Sequence, residues 1–148
     1  MTATPPALRG LATPSEVHDL VTRFYLEIAL DELLEPVFGD VAEVDWVEHI
    51  PRLIDYWCWI LFGTGGNPAS VAKVHRHLHE KAPIGPEHCD RWFVLWAATI
   101  DSGWAGPHAD HAKAHAESLM ASMAKHLFGF TWTAPATATT VAGWRASR

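Results

Sequence analysis

The sequence is poor in the features that mark several specialised classes of protein. Its 148 residues include only two cysteines, Cys58 and Cys89, which provide no disulfide framework. Lysine and arginine total 11 against 17 acidic residues, for a formal net charge of −6, and no basic cluster is present, which argues against nucleic acid binding. The longest apolar run, Trp57 to Phe62, is too short to span a membrane. The N-terminus lacks the apolar core of a signal peptide, so we expect a cytoplasmic protein.

Alternation of polar and apolar residues is also missing, so the sequence predicts no strand. Short Gly/Pro breaks separate about five helical segments, and the predicted fold class is all-α. We expect a flexible lead-in at residues 1–13, one domain at 14–128 and a disordered tail at 129–148.

Helix starts are marked by proline. Thr13 and Pro14 begin the first helix, Pro86 begins a helix that runs to about Gly103, and Pro107 begins the last. A further helix follows Asp45, and a short one is predicted over 69–79.

Apolar residues recur in these helices at three- and four-residue spacing. In the first helix they are Val17, Leu20, Val21, Phe24, Tyr25 and Ile28. In the second they are Trp46, Ile50, Leu53, Ile54, Trp57, Ile60 and Leu61, with His49 on the same face. The helix after Pro86 offers Cys89, Trp92, Phe93, Trp96 and Ile100, and the last offers Ala112, His115, Leu119, Met123 and Leu127.

Histidine and tryptophan are abundant, at ten and eight residues. Four of the histidines, His75, His77, His79 and His88, fall within residues 71–92, just before an aromatic run. Neutral imidazole is the commonest protein ligand of transition metals, and an aromatic wall suits a flat apolar group. The pattern favours a buried planar metal cofactor, for which haem is the candidate, over a tryptophan-rich core without a ligand.

The order of short motifs resembles that of the group III truncated haemoglobins. The motifs are Phe24-Tyr25, the segment 33–38 (LLEPVF), 46–49 (WVEH), Tyr56-Trp57, 66–68 (GNP), Val74-His75 and 86–92 (PEHCDRW). The resemblance covers about residues 15–127. It implies a two-over-two helical sandwich around haem b.

By the same resemblance, Tyr25, His49 and Trp92 match the distal residues that contact a bound ligand. Phe38, Leu53 and Trp57 match haem-packing positions, and Leu78 is expected to pack beside the metal ligand. Two alignments of the segment before Trp92 leave two candidates for that ligand. We favour His75, with His79 as the second choice; His77 faces elsewhere on either helical alignment.

These features predict a haem b protein that binds oxygen, nitric oxide and carbon monoxide, with a redox or detoxifying role rather than bulk oxygen carriage. The resemblance permits nitric oxide oxidation or peroxidase-like turnover, with electrons from an unidentified reductase. One alternative is a non-haem metal protein using His75, His77 and His79, although this spacing suits a strand better than a helix. Another is a helical interaction module without a cofactor.

Overall fold

The computed structural model of the protein describes residues 8–37, 46–64 and 84–135. They form four α-helices: α1 (Pro14–Leu30), α2 (Trp46–Phe62), α3 (Pro86–Gly103) and α4 (Pro107–Met123). A single π-helical turn, Ala124–Phe128, continues α4. The predicted Asp45 cap and the short helix predicted over 69–79 lie outside the described residues.

The predicted helix starts are confirmed at the three prolines. Thr13 caps α1, and its Oγ1 accepts a hydrogen bond from the Glu16 backbone N–H at 3.3 Å. Pro14, Pro86 and Pro107 each stand in the first turn of their helix. The missing amide hydrogen of proline costs nothing there, because first-turn amides have no carbonyl partner within the helix.

The core is built from one face of each helix. All six residues predicted for the apolar face of α1 are buried, and so are all five predicted for α3. On α2, Leu53, Trp57 and Leu61 are buried as predicted, whereas His49, Ile50, Ile54 and Ile60 are half-buried. Tyr56 and Cys58 join this core without having been predicted to do so.

The four helices pack as two pairs, α1 with α2 and α3 with α4. Helix α1 also contacts α3, and α2 contacts α4, so each pair covers the other. The described residues contain no strand, only an isolated bridge between Arg9 and Trp104, and the all-α prediction is confirmed. No helix in the described ranges is long and apolar enough to cross a membrane.

Helix α4 buries a different face from the predicted one. Ala112 and Met123 are buried as expected, but His115, Leu119 and Leu127 are only half-buried. The buried residues are Ala109, Ala112, Lys113, Ala116, Met120 and Met123. Lys113 is compensated by an ion pair, with its Nζ 2.7 Å from Asp101 Oδ1 on α3. The alanine stripe lies inside because small side chains let α4 approach its neighbours closely.

Both ends of the described chain pack on the helices. The backbone of Arg9 accepts from the Ala105 N–H and donates to the Gly103 carbonyl, each at 3.0 Å, and Leu11 is buried. At the other end, Trp132 is buried and its Nε1 donates to Asp90 Oδ1 at 2.8 Å. Arg9, Leu11 and Trp132 therefore make specific contacts with the helices, which local sequence pattern does not reveal.

Candidate functional site

Helix α1 carries two adjacent aromatic residues into the centre of the molecule. Phe24 is fully buried and meets three other rings edge to face: Tyr25 at 5.0 Å, Trp92 at 5.5 Å and Trp96 at 4.9 Å between centroids. Edge-to-face geometry places the positive ring edge on a negative ring face and is favourable. Phe24 therefore fixes the position of α1 against the two tryptophans of α3.

The Trp92 side chain lies close enough to the Tyr25 hydroxyl to lower the pKa of Tyr25 by hydrogen bonding to its ionised form. An indole nitrogen can only donate, so in that interaction Trp92 Nε1–H donates and the Tyr25 oxygen accepts. Burial raises the pKa of Tyr25, and the Trp92 side chain opposes this rise only in part. The phenol consequently keeps its proton at neutral pH and remains chemically a donor.

His49 approaches Tyr25 from α2. The two ring centroids are 5.9 Å apart and the ring planes are nearly perpendicular, at 87°. His49 is half-buried, whereas Tyr25 is only 6% exposed. The structure thus brings together the three residues predicted for the distal side, Tyr25, His49 and Trp92, from three different helices.

The two predicted packing residues on α2 continue inward from His49. Leu53 and Trp57 follow it at four-residue spacing, about one helical turn each, and both are buried. Trp57 stacks on Trp96 with centroids 4.7 Å apart, and Trp96 lies nearly parallel to Trp92 at 6.1 Å. Trp96 is held in place by donating to the Ala112 carbonyl at 3.2 Å. Trp57 and Trp92 are therefore joined through a third tryptophan.

A small cavity of about 20 Å³ adjoins Trp92. Its walls are almost entirely apolar: Leu34, Val37, Ile84, His88, Cys89, Trp92, Met120 and Phe128. This volume is close to that of one water molecule. Trp92 belongs both to the cavity wall and to the cluster around Tyr25, so it connects the hydrogen-bonding groups with an apolar space.

Two polar side chains in that wall were not predicted as site residues. His88 Nδ1 accepts a hydrogen bond from the Gly85 N–H at 3.0 Å. Burial, together with the nearby Asp90 and Glu87, raises the pKa of Cys89 to about 12, so the thiol is protonated at neutral pH. The sequence could have indicated Cys89 as a site residue, because its three-residue spacing from Trp92 puts both side chains on one face of α3.

The remaining predicted site residues lie outside the described part of the chain. They are Phe38, His75, Leu78 and His79, together with His77 of the alternative metal site. Within residues 8–37, 46–64 and 84–135, no group of three histidine, cysteine or acidic side chains is arranged to hold a metal ion.

Comparison with known proteins gives one informative similarity. No protein-family model matches the sequence, and neither does any curated protein. The structure is similar to the crystal structure of a group III truncated haemoglobin from Campylobacter jejuni, with a TM-score of 0.70 and 19% sequence identity. The match covers 83% of this chain and 97% of that one. The fold predicted from the motif order is therefore confirmed: this chain has the fold of the truncated haemoglobins.

Proposed function

We propose that the protein is a cytoplasmic haem b protein that binds oxygen, nitric oxide and carbon monoxide. The observation that carries the proposal is the cluster of Tyr25, His49 and Trp92, gathered from α1, α2 and α3 within a truncated-haemoglobin fold. The structural neighbour is itself a haemoglobin. We further propose oxygen-linked turnover of nitric oxide or a peroxide, with electrons from a reductase, rather than bulk oxygen carriage.

The residues present fit this cofactor in their chemistry. A haem needs apolar walls for a flat ring and, on its open side, neutral donors if it is to retain a polar diatomic ligand. Leu53, Trp57 and Trp92 are buried side chains that supply such walls, and we assign the same role to Phe38 and Leu78. His75 would hold the iron, with His79 as the alternative. When bound, haem supplies one open coordination position for a diatomic gas.

Tyr25 would act as the principal donor to the ligand. Its phenol is protonated, and Trp92 lies beside the phenol oxygen, where the indole N–H would donate to it and polarise the O–H bond. Trp92 therefore supports the ligand through Tyr25 in this arrangement, rather than only by direct contact. His49, half-buried at the edge of Tyr25, is positioned to affect ligand entry.

Replacing the donors should speed ligand release. A hydrogen bond to a partly charged acceptor contributes roughly 1.5–3 kcal/mol, which corresponds to about ten- to a hundredfold in rate if it is lost wholly at release. We expect Tyr25→Phe and Trp92→Phe to release oxygen faster while retaining haem. Stopped-flow replacement of oxygen by carbon monoxide measures this rate.

The control for that experiment is Trp59→Phe, since Trp59 is a partly exposed tryptophan of α2 outside the cluster. It should release oxygen at the parent rate. Parent-like release from both Tyr25→Phe and Trp92→Phe would mean that these two residues only pack the core.

The metal ligand is tested by two glycine variants. His75→Gly should lose haem, or recover a five-coordinate spectrum only when imidazole is added, because imidazole replaces the missing side chain as the ligand. His79→Gly should keep the parent spectrum and serves as the matched control. The opposite pattern would assign the iron to His79, and parent-like spectra from both variants would exclude both assignments.

A further inference from the structure

A second polar pair lies behind the site and takes no part in ligand binding as proposed above. Tyr56 on α2 and His115 on α4 share a short hydrogen bond, with 2.7 Å between the phenol oxygen and Nε2. Tyr56 is 4% exposed and His115 is half-buried. At this ordinary hydrogen-bond distance the phenolic proton can pass directly to the imidazole when the phenol is oxidised.

The direction of this hydrogen bond follows from the protonation of its partners. Burial, and after it the neighbouring His111, lowers the pKa of His115, so its imidazole is neutral at pH 7. Burial raises the pKa of Tyr56 to about 12, so its phenol is protonated. Tyr56 therefore donates, and His115 accepts through Nε2 with its own proton on Nδ1.

Tyr56 is also the end of a continuous series of aromatic rings. Its ring centroid is 5.6 Å from that of Trp57, which stacks on Trp96 at 4.7 Å, and Trp96 lies 6.1 Å from Trp92. We call Trp92, Trp96, Trp57 and Tyr56 the ring series. Every member is buried, and the first member, Trp92, adjoins Tyr25.

The ring series differs from another buried tryptophan, Trp104, in the charged groups beside it. Trp104 has the guanidinium carbons of Arg9 and Arg23 each 5.0 Å from its ring centroid. Two cations over a ring oppose the removal of an electron from it. Tyr56, by contrast, is hydrogen-bonded to His115, a neutral base that can take up its proton.

We propose that Tyr56 and His115 form a redox site that receives one-electron oxidising equivalents from the cluster of Tyr25, His49 and Trp92 through the ring series. The oxidant is a hydroperoxide that is reduced at this cluster. The choice of oxidant rests on the proposed function, whereas the proton transfer from Tyr56 to His115 does not.

Each transfer moves one electron and one proton. An electron passes from Tyr56 to Trp57, from Trp57 to Trp96, from Trp96 to Trp92 and from Trp92 to the oxidant. The phenolic proton of Tyr56 moves to His115 Nε2, which leaves a neutral tyrosyl radical beside an imidazolium. A one-electron reductant such as ascorbate then restores the phenol, and the proton returns from His115. Two such cycles, with two protons from solvent, convert one hydroperoxide into an alcohol and water.

The sequence makes the radical assignable, because Tyr25 and Tyr56 are its two tyrosines. The first experiment oxidises the full-length protein with photogenerated tris(bipyridine)ruthenium(III), and freeze-quench electron paramagnetic resonance then detects radicals. We expect a tyrosyl signal from the parent and from Tyr25→Phe, and its loss in Tyr56→Phe. A parent signal that persists in Tyr56→Phe, or the absence of any tyrosyl signal, overturns the inference.

His115→Gln separates proton transfer from simple hydrogen bonding. Glutamine is similar in size, and its amide oxygen can accept from Tyr56, but it is far too weak a base to take the proton. We expect His115→Gln to lose the tyrosyl signal although it remains folded by circular dichroism. An undiminished signal in this variant overturns the role of His115.

A second experiment tests electron transfer through the ring series to the cluster of Tyr25, His49 and Trp92. Protein loaded with hemin is treated with hydrogen peroxide and frozen, and the Tyr56 signal is compared between the parent, Trp96→Phe and the control Trp59→Phe. Trp96→Phe should lose the Tyr56 signal after peroxide treatment but keep it with the ruthenium oxidant. Trp59→Phe should keep the Tyr56 signal with either oxidant. If Trp96→Phe does not fold, Trp57→Phe takes its place. An equal peroxide signal in Trp96→Phe and the parent overturns the ring series. A protein that binds no hemin contradicts the proposed function instead, and the ruthenium experiment still decides the inference about Tyr56 and His115.

Discussion

Tyr25 shows how one buried position acquires a function from its neighbours. The helical periodicity of α1 was sufficient to place it on the buried face beside Phe24, and that prediction is confirmed. Its contact with Trp92 was not predictable in the same way, because it depends on the packing of α1 against α3, whose register local sequence does not determine. The protonated phenol follows from burial alone, because the Trp92 side chain acts on the pKa of Tyr25 in the opposite direction.

His115 illustrates the reverse case at the same scale. The sequence placed it on the inward face of α4, whereas the structure leaves it half-buried with Tyr56 as its partner. No pattern in the sequence links positions 56 and 115. The pairing appears only when α2 is packed on α4.

The pH dependence of stability should report on His115. Burial and His111 lower its pKa from the usual 6.5, so between that value and the lowered one the unfolded chain binds the proton more readily than the folded chain does. The stabilising contribution of the neutral imidazole is thus fully present above pH 6.5 and is lost as the pH falls from there to the folded-state pKa. His115→Gln should lose this component.

Urea unfolding of the parent and His115→Gln at a series of pH values between about 7 and 5 measures the effect. The other nine histidines are present in both proteins, so the difference between the two curves reports His115 together with its coupling to His111. Curves that run parallel across this range would show that the charge state of His115 is not linked to folding.

At the scale of the elements, helix starts and two of the helical faces could be predicted, while the face of α4 could not. Pro14, Pro86 and Pro107 mark starts through a local rule that tertiary structure rarely overrides. In α4 the alanines give little contrast between an inward and an outward face. The longer side chain of Leu119 suggested the wrong phase.

The packing of the segments that flank the helices was still harder to predict, because their contacts are made by single residues. Leu11 is buried, and Trp104 Nε1 donates to Glu16 Oε1 at 2.9 Å, a contact that ties the end of α3 to the first turn of α1. Trp132 reaches back to Asp90 and Phe93 on α3. Leu11, Trp104 and Trp132 belong to no periodic pattern.

Trp132 offers a direct measure of how firmly the segment after α4 is held. Trp132→Ala removes a buried indole and should lower the free energy of unfolding by about 3–5 kcal/mol. Trp132→Phe keeps the ring near Phe93, whose centroid is 5.8 Å away, and loses the hydrogen bond to Asp90. It should cost about 1.5–3 kcal/mol.

The exposed neighbour Thr133 provides the control, since Thr133→Ala should leave the urea unfolding curve unchanged. If Trp132→Ala unfolds at the parent urea concentration, the packing of this segment contributes nothing to stability.

At the scale of the whole molecule, the ordered motifs predicted the fold better than sequence identity would have done. Only 19% of aligned residues are identical to those of the structurally similar truncated haemoglobin, yet the match covers 97% of that protein. Phe24-Tyr25 on α1, Tyr56-Trp57 on α2 and Trp92 on α3 lie among the buried aromatic residues that join the helices.

Titration of the protein with hemin shows directly whether this fold encloses haem. We predict saturation at one hemin per chain, an intense absorption band near the violet edge of the spectrum that shifts when dithionite and carbon monoxide are added, and quenching of tryptophan fluorescence as hemin approaches Trp57, Trp92 and Trp96. A protein that remains colourless, with fluorescence unchanged by hemin, would contradict the account.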